Sequence, residues 1–211
     1  MCARCEAQPK PGKSGRLTQM KPEMLAGGGV TAFEKAKLPI ILNSNPDEVV
    51  MSTWNFTPGW NVEQNGPAPS TYNARIETID QKPTYAPHLG NRCLVVLTSF
   101  QEGQERIIDG KKKKFQYKIT KENTHEFCVA GIYRIYKGEI YHTVITTEAN
   151  ELMAKIHNTM KRMPVILEPW EEKYWLEGEP MKNFADRANV HLEATPLFKE
   201  SPQQKQGGLF D

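Results

Sequence analysis

Five strand-like runs crowd into the stretch from Tyr72 to Thr146, and this density of strand signal limits the fold more than any other feature. The runs are Tyr72 to Thr78, Arg92 to Thr98, Phe115 to Thr120, Phe127 to Tyr136 and Ile140 to Thr146, each rich in β-branched and aromatic residues. Lys137-Gly138 falls between the last two and reads as a hairpin turn. Lys111 to Lys114, after Asp109-Gly110, reads as a second charged turn, a solvated tip in preference to a phosphate patch. The first fifty residues lack regular periodicity, and Gly27-Gly28-Gly29 and Asn43-Ser44-Asn45-Pro46 are loop signals. One helix is expected after Thr147 as its cap, with Leu152, Ile156 and Met160 forming an apolar stripe that Pro164 ends. A second starts at Pro169, carries Trp170, Tyr174 and Trp175, and stops at Gly178. These elements predict one α+β domain over residues 1–195, dominated by antiparallel strands. Residues 196–211, polar and rich in Gln, Lys and Gly, read as a mobile tail.

The 211 residues suffice for one sizeable core, with 38% hydrophobic and 25% charged residues. No apolar run reaches the length of a membrane span, and no apolar leader is visible, so a cytoplasmic protein is expected. The net charge of +2 neither demands nor excludes nucleic acid. Of the four cysteines, Cys93 and Cys128 sit in apolar runs and read as buried small hydrophobes.

Cys2 directly follows the initiator. Once Met1 is removed, the chain begins with a 1,2-aminothiol, whose amine and thiol have reference pKa values near 8 and 8.5. An aldehyde forms an imine with such an amine, and the thiol then closes a thiazolidine ring. The thiolate alone can instead act as a nucleophile in acyl transfer. Cys2 and Cys5 form a single C-x-x-C, which could be redox-active or half a zinc site. No second pair or paired-His motif accompanies it, so no metal or cofactor is expected.

An ordered set of motifs accompanies this terminus: Met1-Cys2-Ala3-Arg4, Trp54-Asn55-Phe56-Thr57-Pro58-Gly59-Trp60, Asn73-Ala74-Arg75-Ile76-Glu77, Arg92-Cys93-Leu94-Val95, Ala130-Gly131-Ile132-Tyr133, Thr146-Thr147-Glu148-Ala149-Asn150 running into His157, and Arg162-Met163-Pro164-Val165-Ile166-Leu167. Together they resemble the SRAP family, the SOS-response-associated peptidase-like proteins, over most of residues 1–193. The resemblance implies a covalent sensor of abasic sites in single-stranded DNA, whose N-terminal cysteine traps the ring-opened sugar as a thiazolidine crosslink. It also implies self-cleavage that removes the preceding residue, and AP-lyase activity in some members.

On that resemblance, Cys2 is the nucleophile, Asn73 orients it, Glu102 transfers protons and His157 acts as general acid. Asn73, Arg75 and Glu77 alternate, so a strand would project all three from one face. An amide suits orientation because it both donates and accepts hydrogen bonds, and a guanidinium suits phosphate through its fork. Arg4, Arg75, Arg162 and Thr146 are the implied DNA-backbone contacts. Trp54 and Trp60 are candidates either for stacking on unpaired bases or for core packing. The chain departs from the family at Ala3, where glycine is usual, and at Gly103, where tryptophan is usual. Gln206-Gly207-Gly208-Leu209-Phe210 fits a loose sliding-clamp ligand pattern, with Gln206, Leu209 and Phe210 as anchors. A monomer is expected. The alternative functions are a cysteine peptidase using Cys2 with His157, and a non-covalent single-stranded-DNA module.

Overall fold

Thirteen strands and two short α-helices make up the described part of the computed structural model, which comprises residues 4–21, 25, 29–57 and 70–198. Cys2, Trp60 and the tail positions Gln206, Leu209 and Phe210 lie outside the described residues. The strands are β1 (Arg4–Glu6), β2 (Val30–Thr31), β3 (Lys37–Leu42), β4 (Asn45–Trp54), β5 (Asn73–Arg75), β6 (Arg92–Leu97) and β7 (Ser99–Ile108). They continue as β8 (Lys111–Lys121), β9 (Phe127–Tyr136), β10 (Glu139–Glu148), β11 (Arg162–Pro164), β12 (Ile166–Leu167) and β13 (Leu192–Pro196). The helices are α1 (Glu151–Ile156) and α2 (Pro169–Leu176). The fold is α+β, as expected.

Two sheets organise the chain. One has the order β13-β8-β7-β1-β2 and is antiparallel throughout. The other runs β11-β10-β4-β3-β6-β9-β12, with β5 beside β10. Pairing of β9 with β10 closes β10-β4-β3-β6-β9 into a barrel. Both long hairpins turn where the sequence demands a left-handed pair: Asp109-Gly110 at φ 53° and 70°, and Lys137-Gly138 at φ 49° and 80°. Such turns match the right-handed twist of the strands they join.

The core fills the barrel and the space between the sheets. Cys5, Cys93 and Cys128 are all fully buried, and burial pushes the Cys93 and Cys128 thiols up; Cys93 fits the expected small hydrophobe, whereas Cys128 Sγ also accepts from Arg16 Nη1 at 2.8 Å. His142 is also fully buried, with Nδ1 2.9 Å from Ser52 Oγ; burial lowers it to about 3, leaving a neutral core imidazole.

Several boundaries differ from the sequence reading. The region before residue 50 contains β3 and half of β4, whose residues pair with one another and hide Leu38, Ile40, Ile41 and Leu42. Buried on both faces, β3 is a continuous apolar run with no alternation to detect. Lys111 to Lys114 are not the turn but the first residues of β8, opposite Ile108 to Glu105. Strand Tyr72 to Thr78 contracts to β5, after which residues 76–78 turn. Thr147 does not cap α1; it belongs to β10, and Asn150 is the cap, accepting from Met153 N at 3.0 Å. The helix ends at Ile156, well before Pro164, so Met160 is 47% exposed and not part of a stripe. Beyond β13, Phe198 packs edge-on against Phe115 and Tyr117, with centroids 4.8 and 5.3 Å away.

Candidate functional site

Arg4 opens β1, which is clamped between β2 and β7 with Arg4 opposite Thr31 and Gln101. Its guanidinium donates to Gln101 Oε1 at 3.5 Å. Next along β7 comes Glu102, 4% exposed and opposite Tyr117. Glu102 and Gln104 share one face of the strand, and Gln104 Nε2 donates to Lys155 O of α1 at 2.9 Å. The Glu102 side chain is therefore directed to the same side of β7 as α1.

Past Gln101 the β7 edge is taken over by Asn158. Its amide accepts from Glu105 N at 3.0 Å and donates to Glu105 O at 2.8 Å, which mimics a strand partner. That clasp fixes the neighbouring His157. His157 N donates to Met153 O at 2.7 Å, Lys161 N donates to His157 O at 2.8 Å, and the ring Nδ1 lies 3.0 Å from Arg162 O. A carbonyl only accepts, so Nδ1 carries the proton. The ring is buried at 4% exposure. A buried imidazole held on both backbone sides and at one nitrogen is fixed in its orientation.

Arg162 links His157 to β5. Its guanidinium makes two 2.8 Å bonds to the Glu77 carboxylate and a third to Thr146 O. Burial alone would raise Glu77, but the Arg162 hydrogen bonds and charge hold its carboxyl below the usual range. This geometry corrects two DNA-contact expectations. Arg162 is 6% exposed with its fork filled by Glu77, and Thr146 is 1% exposed with Oγ1 3.3 Å from Ala74 O. Both are buried and neither presents an exposed donor to a phosphate; they tie β10, β11 and β5 together.

β5 itself runs parallel to β10, pairing Asn73, Ala74 and Arg75 with Val144, Ile145 and Thr146. The alternation read from sequence holds in burial: Ala74 and Ile76 point inward, while Arg75 and Glu77 are exposed and Asn73 is half-buried. Arg75 thus remains available to an anion. Trp54 does not: it is fully buried, with Nε1 donating to Tyr72 O at 2.8 Å. Its expected stacking on bases is corrected to core packing beside β5. Trp60 and Cys2 lie outside the described residues.

Strands β1, β5 and β7 and the end of α1 therefore bring Arg4, Glu102, His157, Asn73 and Arg75 into one connected framework. Sequence reasoning missed Asn158, Gln104 and Glu105, because β7 carries no strand signature of its own. It also missed Glu77 as the partner of Arg162. Among the described residues no cluster of three His, Cys, Asp or Glu side chains could hold a metal ion. None of their helices is long and apolar enough to cross a membrane.

The chain is similar to known proteins over most of its length. It is 33% identical over 145 residues to abasic site processing protein YoqW of Bacillus subtilis, and 34% identical over 145 residues to YoaM of the same species. Each alignment covers 66% of this chain and about three fifths of the relative, 62% and 61%. A solved structure from Bacteroides thetaiotaomicron superposes with TM-score 0.67 at 31% identity, covering 80% of this chain and 76% of that one. A Bordetella bronchiseptica structure shares the fold with TM-score 0.71 at 19% identity, covering 94% and 100%. The family model for SOS response associated peptidase (SRAP) matches residues 1–200, and the chain belongs to that family.

Proposed function

We propose that this protein processes abasic sites in single-stranded DNA by capturing the sugar aldehyde covalently on Cys2. The observation that carries the reading is a chain of links: β1 pairs with β7, which carries Glu102; Asn158 beside His157 clasps β7; and Arg162 joins His157 to Glu77, just beyond Asn73 and Arg75 of β5. Two virtual bonds of about 3.8 Å tether residue 2 within about 7 Å of the Arg4 Cα. The relatives' names, abasic site processing proteins, agree with this substrate.

The chemistry follows from an aminothiol created when Met1 is cleaved off. The Cys2 α-amine adds to the ring-opened aldehyde and loses one water to give an imine. The Cys2 sulfur then adds to the imine carbon while the nitrogen gains a proton, closing the thiazolidine. His157 Nε2 and the Glu102 carboxylate are the groups that move protons in these steps. Asn73 orients the nucleophile, and Arg75 and Arg4 hold backbone phosphates on either side. Loss of the C2′ proton from the imine with departure of the 3′ phosphate, before ring closure, followed by hydrolysis of the remaining imine, gives lyase turnover from the same intermediate.

Incubation with abasic single-stranded DNA followed by a denaturing gel tests the reading. The intact protein is expected to form a denaturation-resistant adduct that Cys2→Ala cannot form. An equal adduct from Cys2→Ala would overturn it.

A further inference from the structure

Phe33 is 72% exposed, although it sits in the middle of a tight 3-10 turn whose neighbour Ala32 is buried. The turn ends at Lys35 in the left-handed region, φ 50°. One ring contact anchors it, edge-on to Tyr72 with centroids 5.5 Å apart, and Tyr72 immediately precedes Asn73. Phe33 forms one wall of a groove of about 290 Å³ on the outer face of the β7–β8 sheet. Arg4, Thr31, Gln101, Gly103, Lys114 and Gln116 line most of the rest.

Gly103 shapes this groove. A Cβ there would fall on Lys114 Cε, so only glycine lets the Lys114 stem lie across the sheet. The result is an exposed aromatic face, two cations and two side-chain amides around a shallow open channel. That is the composition of a single-stranded nucleic-acid platform, where bases stack on aromatics and phosphates meet cations.

We infer that Phe33 is a stacking platform for the nucleobase flanking the abasic site, with Lys114 and Arg4 on the adjoining phosphates. This rests on the DNA reading above and extends it to a residue and a subsite. Through Tyr72, which the Phe33 ring touches and which precedes Asn73, the groove adjoins the candidate site. Phe33 touches no reacting atom, so it is a positioning residue.

The test uses full-length protein and single-stranded DNA carrying a tetrahydrofuran abasic analogue, which has no aldehyde. A 2-aminopurine is placed on one or the other side of it. The wild-type protein is expected to quench the fluorophore at one of the two positions. Phe33→Ala should abolish that quenching and weaken binding about tenfold, within the range of a lost base–aromatic stack. Phe33→Trp should restore both, whereas Phe33→Leu, apolar but without a π-face, should not. Lys114→Ala should lower the slope of log affinity against log salt by about 0.7. Because Phe33 is exposed, these variants keep the fold, which a thermal melt checks. Unchanged quenching and affinity in Phe33→Ala, or full rescue by Phe33→Leu, overturns the inference while leaving adduct formation on natural abasic DNA as a separate test of function. Absence of any binding by wild-type protein overturns both.

Discussion

Replacing Glu77 by alanine strands a buried charge, and its cost can be worked from the structure. Arg162 is 6% exposed and would lose two 2.8 Å charge-assisted bonds, keeping the one to Thr146 O. Breaking one side of a fully buried pair costs about 3–5 kcal/mol. The Glu77 side chain is 37% exposed, so solvent screening reduces this to about 2–3 kcal/mol. With a urea m-value of about 3 kcal/mol/M for a chain of this size, the unfolding midpoint should fall by about 0.7–1 M. Glu77→Gln retains one acceptor and should lose about half as much. The double variant Glu77→Leu with Arg162→Met should recover most of the loss, because removing both charges leaves none uncompensated. Equilibrium urea unfolding followed by tryptophan fluorescence reads all four proteins. The alternative, with Arg162 as a phosphate contact, predicts that Glu77→Ala frees the guanidinium and tightens DNA binding at unchanged stability. A midpoint within about 0.2 M of wild type, with tighter binding, would refute the structural assignment.

Three further outcomes are expected. His142, lowered by burial to about 3 from an ordinary 6.5, stays neutral in the fold while the unfolded chain protonates; stability is therefore full above pH 6.5 and falls by up to ~1.4 kcal/mol per pH unit on acidification toward about 3. Glu77 and Glu171, both held low, add their losses only in the carboxylate range. His142→Gln should flatten the slope between pH 6.5 and 5 in pH-dependent melts, and an unaltered slope would exclude His142 as its source. His157→Asn, whose amide can keep the bond to Arg162 O, should slow adduct formation about 100-fold without loss of DNA affinity, read by single-turnover gels; a rate within threefold of wild type would remove His157 from proton transfer. We propose from the Q-x-x-L-F pattern that residues 206–211 bind a bacterial sliding clamp; deleting them should then abolish affinity for a purified clamp by surface plasmon resonance, and retained affinity disposes of the clamp partner.

The legible parts of the fold were those carrying local chemistry. Asp109-Gly110 and Lys137-Gly138 mark hairpins because few residues adopt positive φ at such low cost, and β9 is a long β-branched and aromatic run. The illegible parts depend on distant contacts. β7 reads as polar loop because Glu102, Gln104 and Arg106 face inward to be satisfied by other elements: Gln104 by α1, and Arg106 by Tyr117 Oη at 2.5 Å. The motif order located His157, Glu102 and Asn73 in sequence, and the fold connects them through Asn158 and Arg162. The same motifs could not reveal that the Arg162 fork is filled by Glu77, since the two lie 85 positions apart. Nor could they separate Trp54 in the core from a base-stacking tryptophan, or show Phe33 standing in solvent.

The central claim, covalent capture at Cys2, is tested most directly by intact mass spectrometry of the protein before and after exposure to abasic single-stranded DNA. The account predicts a chain lacking Met1, then an adduct equal to that chain plus the DNA minus one water, with peptide mapping placing the bond on residue 2. A chain that retains Met1 yet forms the adduct, or an adduct mapped to a lysine, would contradict it.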